Sequence, residues 1–300
     1  KKGQRHGEQA SPSVPKTFQI MGRYELQEDP PLGIGAWCIV RRGVDLVSNR
    51  KVAAKSFNPH AYRGMGDEFL RQRFSREVGI FKDLGLAHAY ASADIGTASA
   101  SAAAREEGGV RDLLVNLLDF SRAAVGSDEP GPAEDGHCYT ILELADTSLQ
   151  AWLRKRLGAR EFVTLEEMRF FARSLAEGLS CLHERDLFHL DVKPENIMRF
   201  GSRWKLIDLE GCLPGGREAR IVFSPLYAAP ELARFTLKHG SAEGLEPTAA
   251  MDIWAAGVVL LDVLVHGSAL EETKAGLDTG NLFEEDDGAL QHRAWYEWLV

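Results

Sequence analysis

Between His189 and Asn196 the chain reads His-Leu-Asp-Val-Lys-Pro-Glu-Asn, and Lys205-Leu206-Ile207-Asp208 follows shortly after. Asp191, Lys193 and Asn196 fall within six residues, and Asp208 closes a short apolar run. That set suits the transfer of a phosphoryl group. One carboxylate, Asp191, accepts a hydroxyl proton. The amide of Asn196 and the carboxylate of Asp208 hold magnesium, and Lys193 offsets charge on the group in flight.

The order His-x-Asp-x-Lys-Pro-Glu-Asn, then apolar-Asp, resembles the catalytic loop and metal-binding turn of eukaryotic protein kinases. Other blocks follow the same family order. Leu32 to Val40 resembles the glycine-rich loop that covers ATP phosphates, with Gly33 and Gly35 present, Ile34 between them, and Cys38 where a third glycine is expected. Glycines there let the backbone approach phosphate oxygens without a Cβ in the way. Val52-Ala53-Ala54-Lys55 resembles the strand whose lysine reaches the α- and β-phosphates. Phe223 to Glu231, ending Ala229-Pro230-Glu231, resembles the end of an activation segment, and Asp252-Ile253-Trp254-Ala255-Ala256-Gly257 the start of the large buried helix of the C-terminal lobe. Six such blocks run from Gly33 to Gly257.

The elements that must position these residues are legible in outline. Phe69, Leu70, Phe74, Val78, Phe81 and Leu84 have helical spacing. Glu77 lies on that helix where the family carries the partner of the strand lysine; Glu68 is an alternative. Glu77 is favoured because Phe81 then follows one turn later on the same face. Cys138 to Ala145 reads as a buried strand running into a connector. The resemblance implies a hinge there, with Leu142 behind the adenine, the Glu143 carbonyl and Ala145 N–H on its edge, and Ser148 near the ribose. Val40, Ala53 and Met198 would enclose the ring. Leu165 to Glu184 is an amphipathic helix leading into the catalytic loop, and Ile197–Phe200 and Trp204–Ile207 read as strands around a turn at Gly201.

The expected fold is α+β and bilobal. A flexible lead-in at 1–16 precedes a small, mainly β lobe with one helix at 17–145, carrying insertions near 87–109 and 121–136. A larger, mainly α lobe occupies 146–300 and is incomplete at its C-terminus, since the family continues with further helices. Asp252 also suits a helix N-terminus electrostatically.

A net charge of −9 argues against a general nucleic-acid binder. The longest apolar stretch, Trp254 to Val265, is too short to span a bilayer and contains Asp262, so no transmembrane segment is expected. Cys38, Cys138, Cys181 and Cys212 show no metal-site or disulfide spacing and read as reduced thiols of an intracellular, cytoplasmic-type protein, with Cys38 exposed beside phosphate-binding groups.

Three residues depart from the family. Leu190 replaces the arginine that commonly receives the charge of a phosphorylated loop, Glu210 stands in Asp208-Leu209-Glu210-Gly211 where glycine is usual, and Cys38 stiffens the phosphate loop. Leu209 keeps an apolar plug, suited to stacking with His189 and Phe81. None removes a group that holds ATP, magnesium or the nucleophile. The implied activity is transfer of the ATP γ-phosphoryl group, with magnesium or alternatively manganese, to Ser or Thr of protein substrates. Lys193 and Ser224, in the usual threonine position, carry the Ser/Thr reading. A pseudokinase scaffold is the alternative, and no regulatory partner is implied.

Overall fold

A computed structural model describes residues 16–35, 38–57, 67–87, 109–278 and 292–300. The lead-in before Lys16 and nearly all of the insertion near 87–109 lie outside them. The N-terminal part is a sheet of β1 (Thr17–Ile20), β2 (Tyr24–Gln27), β3 (Gly33–Ile34), β4 (Cys38–Asp45), β5 (Lys51–Phe57), β6 (Leu117–Phe120) and β7 (Cys138–Glu143). Its order is β1-β2-β4-β5-β7-β6, with β3 also paired to β4. Helix α1 (Asp67–Asp83) packs against it, and the short α2 (Val110–Leu113) precedes β6.

Strand alternation decides which way β5 presents its side chains. Val52 and Ala54 enter a cluster with Tyr24, Leu26 and Ile141 on one face. Ala53, Lys55 and Phe57 therefore take the other face, where Phe57 joins Phe74, Val78 and Phe81 of α1. Lys55 lies on the α1 side of the sheet by that parity. The 121–136 insertion is folded back on the sheet, with an Arg122–Pro130 bridge and a 2.8 Å ion pair from Lys82 of α1 to Asp128.

The C-terminal part is mainly helical: α3 (Leu149–Ala159), α4 (Leu165–His183), α5 (Pro230–His239), α6 (Ala249–Val265), α7 (Glu271–Asp278) and α8 (Arg293–Leu299). Small pairings join them: β8 (Thr147–Ser148) to β10 (Ile197–Phe200), β10 to β11 (Arg203–Leu206), β9 (Leu187–Phe188) to β12 (Leu213–Pro214), and β13 (Ala219–Arg220) to β14 (Glu243–Leu245). α4 starts in a full capping box, Thr164 with Glu167, which satisfies backbone donors at the helix start. Its Phe171, Leu175, Leu179 and Leu182 are buried in the same cluster as Phe74 and Phe81, so one core runs through both parts. The β10–β11 turn falls at Gly201, whose φ of 61° favours glycine. Among the described residues no helix is long and apolar enough to cross a membrane.

Candidate active site

The catalytic-loop residues converge on Asp191. Its Oδ2 accepts from Lys193 Nζ at 2.7 Å and Asn196 Nδ2 at 3.0 Å, and its Oδ1 accepts from Ser224 Oγ at 2.7 Å. Lys193 Nζ also donates to Ser224 Oγ at 2.9 Å. A hydroxyl therefore sits between the acid and the lysine. Pro194–Asn196 forms a single 3-10 turn, and the Asn196 amide is further tied to the Asp191 carbonyl at 2.9 Å.

The loop is hung from α6. Asp252 is fully buried, and its two oxygens accept the backbone N–H of His189 at 2.8 Å and of Leu190 at 2.7 Å, with His183 Nε2 2.8 Å away. Leu190 is thereby held at φ 64°, a left-handed conformation unusual for a leucine. Its side chain lies with Phe188, Leu213 and Ile221 in an apolar cluster. His189 is buried, and its Nε2 is 2.9 Å from the Ile207 carbonyl.

Opposite lies Lys55, 4% exposed, with its ammonium donating at 2.9 Å to Glu77, 2.8 Å to Asp208 and 2.8 Å to Glu210. Glu77 takes the lysine; among the described contacts Glu68 accepts only from Gln72, on its own helix. Burial works against the charge of Lys55, but Asp208, Glu77 and Glu210 overcome it and hold its pKa well above the ordinary value. Burial pushes Glu77 up to about 7, with Lys55 opposing and Glu210 adding. Burial also opposes ionisation of Asp208, yet the charge and hydrogen bond of Lys55 bring its pKa below the usual carboxylate range. Asp208 adopts φ 64°, and Leu209–Gly211 forms one 3-10 turn in which Leu209 is buried with Phe81. Glu210 also pairs with Arg73 of α1 at 2.8 Å.

Strand pairing places several of the remaining predicted residues beside one another. Gly33 pairs with Val40, Val40 with Lys55, Ala53 with Leu142, and Met198 with Ser148. A Cβ at Gly33 would meet nothing within 4 Å, so its backbone is open to approach. Gly35 N–H bonds the Cys38 carbonyl at 2.8 Å, closing the hairpin. Cys38 begins β4 half-buried rather than exposed as expected, and burial pushes its thiol up to about 12. Ser148 caps α3 by accepting the Ala151 N–H at 3.2 Å. Glu143 carries more than a backbone contact. Its Oε1 accepts from Asn116 Nδ2 at 2.7 Å and Lys205 Nζ at 2.6 Å, joining three separate segments behind the connector.

Magnesium fits the donor set. Asn196 spends its Nδ2 on Asp191, leaving the amide oxygen, and Asp208 spends Oδ1 on Lys55, leaving Oδ2. Both are hard oxygen ligands of the kind magnesium takes.

Sequence reasoning missed two features. The reach of Asp252 to two backbone N–H groups left no local signal. The Arg73–Glu210 pair left half of one: Arg73 lies one turn before Glu77 on the same face of α1, but nothing local names Glu210 as its partner.

A family model described as the protein kinase domain matches residues 26–286. The chain belongs to the protein kinase family, whose members generally use ATP and magnesium. It is similar to cell division control protein 2 homolog 3 of Trypanosoma brucei brucei, at 27% identity over 93% of this chain and 72% of that protein. It is also similar to death-associated protein kinase dapk-1 of Caenorhabditis elegans, at 26% over 82% of this chain, and to mitogen-activated protein kinase mpkC of Aspergillus niger, at 26% over 83%. The matched stretches span 14% and 50% of those two proteins.

Proposed function

We propose that this chain is an ATP-dependent protein serine/threonine kinase. The observation that carries the reading is the seat of Ser224, whose hydroxyl donates to Asp191 and accepts from Lys193 as an incoming substrate alcohol would. Asp191 orients the substrate hydroxyl and receives its proton; Lys193 balances charge on the transferred group. Asn196 and Asp208 hold magnesium, which when bound neutralises the phosphates. Lys55, braced by Glu77, positions the α- and β-phosphates beneath Gly33, Ile34 and Gly35. Val40, Ala53 and Met198 enclose the adenine, with the Glu143 carbonyl and Ala145 N–H on its edge. Ser148 meets the ribose only by sharing its capping hydroxyl. Four free thiols suit a reducing, intracellular compartment.

The test is phosphate transfer to a generic protein substrate with phosphoamino-acid analysis. Asp191→Ala should lower the rate by ~10²–10⁴-fold while leaving the melting temperature near wild type. Phosphotyrosine as the main product overturns the specificity. One observation favours a scaffold instead: all three donors of Lys55 are taken by carboxylates. Melting decides between the two. ATP with magnesium at a hundred times its dissociation constant should stabilise the kinase by ~2.7 kcal/mol, and ATP alone by less. No shift leaves the scaffold.

A further inference from the structure

We infer that Glu210 is a positioning residue: a strut that clamps α1 to the metal turn and does without phosphorylation the ordering that protein kinases commonly obtain from a phosphate. The inference rests on the kinase reading above. In such enzymes the strand lysine must meet the helix glutamate while the metal aspartate is in place, and activation-loop phosphorylation commonly controls that assembly.

Glu210 ties the turn after Asp208 to the strand lysine and to α1. Its side chain is 8% exposed and both oxygens are used, Oε2 by Lys55 and Oε1 by Arg73, each at 2.8 Å. Arg73 and Glu77 are four residues apart on α1, so the helix is gripped at two successive turns, once through Arg73 and once through Lys55. A third tie runs from Arg76 Nη2 to the Cys212 carbonyl at 2.9 Å, just past the turn. A glycine at position 210 makes neither ionic contact.

The activation segment offers nothing in its place. From Leu209 to Phe223 there is no Ser, Thr or Tyr. The first hydroxyl, Ser224, is engaged with Asp191 and Lys193; the next, Tyr227, donates to Asp262 at 2.9 Å. Leu190, where a receiving arginine is usual, lies in an apolar cluster with Leu213 and Ile221 of the segment. Between Leu209 and Phe223 a phosphate has no attachment point, and position 190 offers it no cation.

The strut also has a cost in nucleotide affinity. Lys55 has three donors, and a phosphate oxygen needs one. Asp208 is the partner that yields, because its side chain is 37% exposed and faces a cation when magnesium arrives, whereas Glu77 and Glu210 are 1% and 8% exposed. Lys55 then keeps two carboxylates while binding the triphosphate, one more than a glycine-bearing turn imposes.

Glu210→Gln and Arg73→Gln in the full chain test this. Each should lower kcat about tenfold, equivalent to ~1.4 kcal/mol, and the double variant should be no more than about twofold slower than either. The KM for ATP should fall in Glu210→Gln, which removes an anion beside the triphosphate. It should rise in Arg73→Gln, which leaves that anion unshielded. A purely structural role would not move KM in opposite directions. Glu210→Asp keeps the charge and should recover part of the lost kcat. A kcat for Glu210→Gln within about twofold of wild type overturns the inference, as does equal loss in Glu210→Asp and Glu210→Gln. Amide exchange along α1 gives a readout independent of catalysis, and both Gln variants should exchange about tenfold faster there. Unchanged exchange overturns the strut. An inactive wild type would overturn the kinase reading alone, and exchange would then decide this one.

Discussion

Asp252 and Lys55 are both buried charges at the centre of the site, and they are solvated by the protein in opposite ways. Asp252 accepts two backbone N–H groups, with His183 beside it, and faces no opposing charge from lysine or arginine at those contacts. Lys55 is surrounded by three carboxylates and makes those contacts with side chains alone. Backbone donors are fixed by the fold, so the Asp252 site has one arrangement. Of the three carboxylates around Lys55, Glu77 and Glu210 are buried and Glu210 is also held by Arg73, while the more exposed Asp208 is the one able to turn to another cation. The loop around Asp252 is thus held by fixed backbone donors, while the cluster at Lys55, built from both parts of the chain, has one partner, Asp208, able to change.

Removing the fixed anchor should have the largest effect. Asp252→Ala leaves two buried N–H groups without an acceptor, at ~1–3 kcal/mol each, and should lower the melting temperature by several degrees at about 2–4 °C per kcal/mol. Phosphate transfer should be lost with it, because Leu190 has nothing to hold its left-handed backbone. A variant that melts like wild type would show that the loop is held from elsewhere.

A smaller effect is expected from titrating the Lys55 cluster. Glu77 has a folded pKa of about 7, above the ordinary carboxylate value near 4.5. Its contribution to stability is therefore present below that ordinary value and is lost as pH rises through 7. Between pH 6 and 8 the loss is roughly 1 kcal/mol. Glu77→Gln should flatten that part of the profile, read as the difference between melting curves of the two proteins. Equal slopes would mean that Glu77 is ionised throughout the range.

The smallest expected effect is none. Phosphatase treatment of the purified protein should change kcat by less than about twofold, since the segment is seated by Leu190, Leu213 and Ile221 rather than by charge. A tenfold fall, ~1.4 kcal/mol of barrier, would locate a phosphate outside that segment and bring the two regions under common control.

Much of this arrangement was legible in the chain because its chemistry is local. Asp191, Lys193 and Asn196 lie within one loop, and the helical spacing of α1 and α4 reproduces their observed extent closely. The parity of β5 follows from alternation once Val52 is placed inside. What stayed hidden were pairings across long separations. Glu210 and Arg73 are 137 residues apart, and Lys205 and Glu143 are 62 apart. A carboxylate at either place is chemically able to face solvent, metal or cation, and only the packed chain chooses. The same holds for Cys38, where sequence gave loop neighbours but not the burial that raises its thiol. Two-residue strands such as β9 and β12 are too short for any periodicity to show.

The overfilled cluster at Lys55 also bears on inhibitor chemistry. A ligand arm ending in a carboxylate or phosphate mimic approaches a lysine whose donors are already occupied and adds a fourth anion to Glu77, Asp208 and Glu210. An arm ending in an amine meets the opposite situation: it competes with Lys55 for carboxylates already in excess. Basic substituents are therefore the ones this cluster should favour over acidic ones of the same shape.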